Sequence, residues 1–186
     1  MSYLDPAWVL SLMTLLEPSS PYRETFDRTA LAIARGAERS PLPGQDAAKT
    51  AAVLVAVGWF ESRFQPDAGG DCDRMTKDGI CVKGSPAHSF CLFQVNETNL
   101  KAYGTDRETL LTDVNECVHV GLRMMHDSFR ICRSKPLEER LSWYAAGRNG
   151  CDPGPEATKK SRHRMGRAVW LWSMHAPPQI ANDDKN

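Results

Sequence analysis

The chain has 186 residues, 41% of them hydrophobic and 25% charged, and its 23 basic and 23 acidic side chains balance to a formal net charge of zero. That length fits one domain with at most a short appendage, and the composition excludes disorder as the main state. Zero net charge excludes a whole-chain electrostatic grip on nucleic acid or anionic lipid but leaves room for a local patch, and no apolar run reaches the roughly 20 residues that span a bilayer.

Residues 1–44 predict two helices, read as an N-terminal extension. Asp5-Pro6 caps the first, which runs to about Leu16 with Leu4, Trp8, Leu12 and Leu15 on one stripe. Residues 7–16, AWVLSLMTLL, also have the length of a signal-peptide apolar region, but Asp5 precedes them and no Lys or Arg does. An amphipathic helix is the better reading. Export then needs another route, or the protein is delivered by a phage or a secretion machine. The stretch EPSSP breaks this helix, and a second runs from about Tyr22 to Arg39, where SPLPG ends it. The pair either pads the main domain or binds a protein partner.

Residues 45–176 form the main domain, with a loose polar tail over 177–186. Its first helix, about Gln45 to Phe60, is rich in alanine and predicts close packing at the domain centre. Residues 65–90 are the reverse: glycine, proline, aspartate and two cysteines without periodicity, so they predict a long stapled loop with room for a short hairpin. A short helix follows from Gln94 to about Ala102, and Thr105 with Glu108 forms a capping-box pattern for the next. A long helix runs from Asp113 to about Cys132, with Val114, Val118, Leu122, Met125 and Phe129 at helical spacing. Another spans Pro136 to Gly147, and the last spans Pro155 to His175, with the tryptophans of AVWLWSM packing it onto the core.

The six cysteines are Cys72, Cys81, Cys91, Cys117, Cys132 and Cys151. Their even number predicts disulfides and an oxidising, extracytoplasmic compartment such as the periplasm or cell wall. A zinc site with His88 is the rival, but no CxxC pair exists; buried free thiols are the third reading. Cys117 and Cys132 lie on one helix about 22 Å apart, too far to pair. If helices 113–132 and 136–147 form an antiparallel hairpin, Cys151 returns near the start of the first. Cys117–Cys151 is then the preferred bridge, Cys72–Cys81 closes a local loop, and Cys91–Cys132 is the remainder.

The chemistry sits where the central helix meets the loop, in GWFESRFQPDAGG. Glu61 follows Gly58 by three residues and Leu54 by seven, so it shares the apolar face. The helix C-terminus and the aromatic neighbours Trp59, Phe60 and Phe64 disfavour a charged carboxyl there. A carboxyl that keeps its proton can protonate a leaving group. The bland alternative is a solvated glutamate at a frayed helix end.

The segment VGWFESRFQPDA resembles the first motif of the SLT-type lytic transglycosylases, with Glu61, Ser62, Phe64, Pro66 and Ala68 at the matching positions. SFCLFQVNETN resembles their second motif through Leu92, Phe93, Gln94 and Thr98, and WYAAG their third through Tyr144, Ala146 and Gly147. The order and the spacings, about 33 and 50 residues, are similar to the family's, and the motifs cover residues 45–150. Cys91 stands where the family has glycine, and Ala145 where it has asparagine, for which Asn149 is a candidate substitute.

The resemblance implies an all-α, lysozyme-like helical domain, related to goose-type lysozymes, with a disulfide-stapled loop beside the cleft. It implies cleavage of the MurNAc–GlcNAc β-1,4 bond of peptidoglycan glycan strands, without a cofactor or metal. Glu61 is the one catalytic acid/base and the product is a 1,6-anhydro-muramoyl end. Gln94 and Tyr144 are the expected substrate-binding residues, with Ser62 and Ser89 as further polar groups of the cleft. Tyr144 is placed to orient the Glu61 carboxyl.

Two alternatives stand beside it. Asp71, Asp73 or Asp78 in the loop could position a water, giving a muramidase that hydrolyses the bond as goose-type lysozymes do; as plain turn residues they do nothing of the kind. The other alternative is a wall-binding or assembly protein without turnover, which Ala145 favours. The basic stretch Lys159, Lys160, Arg162, His163, Arg164 and Arg167 is either a face for anionic wall polymers and peptide carboxylates or a solvated helix surface.

Overall fold

The structure, a computed structural model, describes residues 4–77, 81–146, 151–152, 154–175 and 177. Asp78, Gly147, Asn149 and the tail beyond residue 177 lie outside them. Eight helices carry the described fold, with a small antiparallel sheet at one side of the cleft described below.

The alanine-rich helix is the centre, as its composition predicts. α3 (Ala47–Ser62) starts at Asp46, whose carboxylate accepts from the Lys49 amide at 2.8 Å, and every side chain from Thr50 to Gly58 is buried. A helix apolar on all sides must be surrounded. α1 (Pro6–Leu16), α2 (Phe26–Arg39) and α8 (Pro155–Met174) all pack against it, while α6 (Val114–Ile131) packs against α2. Leu12, Met13, Phe26, Ile33, Leu54, Phe129, Met165 and Leu171 belong to one core. The N-terminal helices therefore pad the main domain. The Trp8 indole fastens them to the far end of the chain by donating to the His175 carbonyl. In α6, Val118, Leu122, Met125 and Phe129 are buried, as their spacing predicts.

Three predicted helices change shape. Val95–Asn96 forms β3 instead of opening a helix at Gln94; it pairs with β2 (Ser89–Phe90), which pairs with β1 (Gly69–Gly70). α4 (Glu97–Tyr103) begins only after Asn96, whose side chain accepts from the Thr98 amide at 3.1 Å. The cap of α5 (Arg107–Thr112) is Asp106, which accepts from Thr109 N at 2.8 Å, so Thr105 is one residue early. The predicted 136–147 helix is a 3₁₀ turn at Leu137–Glu139 and a short α7 (Ser142–Ala146). Two buried serines cause the break. Ser128 Oγ donates to Arg140 O and accepts from Tyr144 N; Ser161 Oγ donates to Glu138 O and accepts from Leu141 N. Side-chain hydroxyls thus satisfy backbone groups that would otherwise seek helical partners.

That break overturns the predicted disulfides. The bridges are Cys72–Cys81, Cys91–Cys117 and Cys132–Cys151. Only the first matches expectation; Cys117–Cys151 and Cys91–Cys132 are not formed. An 18-residue α6 is about 27 Å long, and five-residue α7 cannot carry the chain back along it. Cys151 therefore stays beside Cys132 at the far end, and Cys117 in the first turn meets Cys91. No cysteine is free. The tryptophans of α8 also depart from expectation. Its buried stripe is Ala157, Ser161, Arg164, Met165, Ala168 and Leu171, which leaves Trp170 and Trp172 exposed.

Cys91 holds φ at +63°, a conformation glycine adopts at little cost. The Cys91–Cys117 bridge fixes the turn that a glycine would otherwise ease. A Cys91→Gly/Cys117→Ala protein should therefore be more stable, by about 1 kcal/mol, than Cys91→Ala/Cys117→Ala. Both should melt below the bridged protein. Equal unfolding midpoints for the two double variants would contradict this account of the turn.

Candidate functional site

A cleft of about 680 Å³ lies between the end of α3, the small sheet, α7 and α8. Its volume is that of an ordinary ligand site. Glu61 enters from α3; Gly70 and Asp71 from the loop edge; Ser89, Gln94 and Asn96 from the sheet and its turn; Tyr144 and Ala145 from α7; Lys160 and Arg164 from α8. Residues from all three motifs thus meet in one place.

Glu61 is in the last turn of α3 and its side chain is 18% exposed. Arg164, at 9%, donates through Nε (3.0 Å) and Nη2 (2.5 Å), both to Oε1. This partner changes the expected surroundings of Glu61: a guanidinium stands beside it as well as aromatic rings. Both contacts fall on one carboxylate oxygen, Oε1. Arg164 was hidden among five other basic side chains. Only its position reveals it, because it alone of that stretch falls on the stripe of Ala157, Ser161, Ala168 and Leu171.

Tyr144 lines the cleft but does not orient Glu61 by a hydrogen bond, contrary to expectation. Its hydroxyl donates to the Phe93 carbonyl at 2.6 Å, tying α7 to the second motif. Burial, reinforced by the Glu61 charge and opposed by Arg164, holds its hydroxyl well above the ordinary tyrosine range, so it stays a proton donor. Ser62 is not a cleft residue: its Oγ donates to Gly58 O and Leu92 O, clamping the end of α3 to the 91–94 turn.

Ser89 is buried, and its hydroxyl donates to Asp71 at 2.5 Å while receiving Asn96 Nδ2 at 3.5 Å. Asp71 is thereby held on the cleft wall with φ at +50°. Asp73 is not among the lining residues and pairs instead with His88. Gln94, also at φ +50°, directs Nε2 to the carbonyls of Cys91 (3.1 Å) and Ala68 (3.4 Å). Its Oε1 lies against Gly70, where an added Cβ would come within 1.9 Å. Gly70→Ala must therefore swing the Gln94 amide aside. That amide is the end of a flexible side chain, so unfolding stability should change by less than about 1 kcal/mol. Ligand affinity at the cleft should fall several-fold, as calorimetry would show; unchanged affinity would remove Gln94 from the site.

His88 joins the loop to α4. Nε2 lies 2.8 Å from Asp73 and Nδ1 2.8 Å from Glu97, so both ring nitrogens face carboxylates and only the imidazolium can donate to both. The hydrogen bond that His88 donates to Asp73 first, then the one it donates to Glu97, raises its pKa above the ordinary histidine value. The clamp is then complete below about pH 6.5 and is lost as pH rises through the elevated folded value. Hydrogen-exchange protection of the Arg74 and Val82 amides, which bond to Ser85 Oγ and Arg74 O, should drop across that window. Protection independent of pH, after correction for intrinsic exchange, would contradict it.

Among the described residues, no group of three or more His, Cys, Asp or Glu side chains is arranged to hold a metal ion. No described helix is long and apolar enough to cross a membrane. Compared with protein-family models, with curated proteins and with solved structures, the chain has no match.

Proposed function

We propose that the protein is an extracytoplasmic, lysozyme-like enzyme that cuts the MurNAc–GlcNAc bonds of peptidoglycan glycan strands by lytic transglycosylation. The observation that carries this reading is the convergence of Glu61, Gln94 and Tyr144, each from a different sequence motif, on one cleft of suitable volume. Three disulfides suit the oxidising compartment in which that substrate lies.

In this mechanism Glu61 acts through Oε2, the oxygen that Arg164 does not engage, and donates a proton from it. The proton passes to the glycosidic oxygen as the bond to muramoyl C1 breaks. The substrate's own acetamido carbonyl stabilises the positive centre at C1. The Glu61 carboxylate, partnered by Arg164 at this stage, then takes the proton from the muramoyl 6-hydroxyl, and that oxygen closes on C1. No water is consumed, and Glu61 ends protonated again. Gln94 and Tyr144 shape the cleft, and the Tyr144–Phe93 bond fixes its two walls together.

One observation favours a second reading. Asp71 lines the same cleft and is held there by Ser89 and Asn96, as a carboxylate that positions water would be. Hydrolysis would then replace ring closure, with Glu61 still the acid. Both readings are tested by adding the protein to a suspension of purified peptidoglycan. Clearing by the wild type and not by Glu61→Gln is expected. Equal clearing by both would remove Glu61 as the acid, and no clearing by either would leave a binding protein.

A further inference from the structure

A second groove, about 510 Å³, lies between the end of α3 and the middle of α8 and is lined by Phe60, Arg162, His163, Gly166, Arg167 and Trp170. It has no lining residue in common with the cleft but is joined to it through Phe60 and Arg164. The Arg164 guanidinium that binds Glu61 is also 5.9 Å from the Phe60 ring, and Phe60 precedes Glu61 in α3. The groove is both aromatic and cationic. Phe60 and Trp170 are exposed, and α8 carries Lys159, Lys160, Arg162, Arg164 and Arg167 against Glu156 alone, in a chain of zero net charge. Arg164 and Arg162 have acidic partners, Glu61 and Glu139. Arg167 has no carboxylate partner among the described residues; its guanidinium lies 5.2 Å from the Trp59 ring and 5.1 Å from the Trp170 ring. A guanidinium braced by two rings is pre-organised, and its N–H edge suits a carboxylate bidentately.

We propose that this groove is a binding site for an acidic peptide, with Arg167 receiving a carboxylate and Phe60 and Trp170 covering apolar side-chain atoms. Resting on the function proposed above, its occupant is the stem peptide attached to the glycan strand in the adjoining cleft. Charge complementarity and the link through Arg164 select this occupant: the strand's lactyl groups carry carboxylate-bearing peptides, and Arg167 lies three residues along α8 from the arginine that binds Glu61. Gly166 supplies the room, since an added Cβ there meets nothing within 4 Å.

The test uses the full chain and a free stem tetrapeptide, without glycan, in a calorimetric titration. The wild type should bind it. Arg167→Ala and Gly166→Leu should each weaken binding about tenfold or more, the value of a charge-assisted contact. Gly166→Leu places a side chain in the groove while replacing a helix-interior glycine with a better helix former, so folding is preserved. Amidating the peptide carboxylates should weaken binding equally, and both variants should still cut peptide-free strands at the wild-type rate. Absence of binding, insensitivity to both variants, or equal binding of polyphosphate would overturn the proposal. Because the probe has no glycosidic bond, the binding outcomes are independent of whether the protein cleaves strands.

Discussion

Glu61→Gln should lower strand cleavage by about 10²–10⁴-fold, the contribution of a positioned general acid. The amide keeps the shape of the side chain, and its carbonyl oxygen can still accept both Arg164 bonds. What it loses is the proton on the second oxygen. Affinity for glycan strands should therefore stay within a few-fold of wild type while turnover collapses. A cleavage rate within a few-fold of wild type, in a variant shown to be folded, would mean that another group supplies the proton.

Removing Arg164 should have the largest effect on stability. Glu61 and Arg164 are 18% and 9% exposed, well inside the range where an ion pair is desolvated. Truncating one member leaves the other buried without its hydrogen bonds, which costs about 3 kcal/mol. Arg164→Met keeps most of the volume and isolates that effect. In a chain of this size, about 10 °C of melting temperature is at stake. The double variant Arg164→Met/Glu61→Gln removes both charges and should be more stable than Arg164→Met alone, because the coupling lies between the two side chains. Additive destabilisation of the two single changes would show that the pair is not a unit.

The parts of the fold that were legible in the sequence are those where local chemistry and tertiary packing agree. Asp5-Pro6 caps α1 as its residues predict, with Asp5 accepting from the Ala7 amide, and the long helix predicted from Asp113 does open there, with Asp113 accepting from Asn115 N. The central position of α3 followed from its alanines. The 136–147 segment was not legible, because Ser128 and Ser161 reach it from 12 and 23 residues away and claim its backbone groups. The disulfide pairing failed for the same reason, since it assumed that segment was a full helix.

The site divides along the same line. Glu61 and Asp71 were singled out by residue type and neighbourhood, Gln94 and Ser89 through the motif resemblance, and the structure brings all of them to one cleft. Ser62 and Tyr144 were given contacts that their hydroxyls instead make to backbone carbonyls, which no local pattern reveals. Arg164 could have been found, because the 3.6-residue period places it on the buried stripe of α8. The exposure of Trp170 follows from that same period, and with it the second groove.

The central claim is that one carboxyl, Glu61, breaks the glycan bond and closes the muramoyl ring without water. Its most direct test is the mass of the muropeptides released from purified peptidoglycan by the wild-type protein. Products one water lighter than those of a hydrolytic muramidase, and absent with Glu61→Gln, are the predicted result. Glu61-dependent products at the hydrated mass would contradict ring closure and assign the water to Asp71.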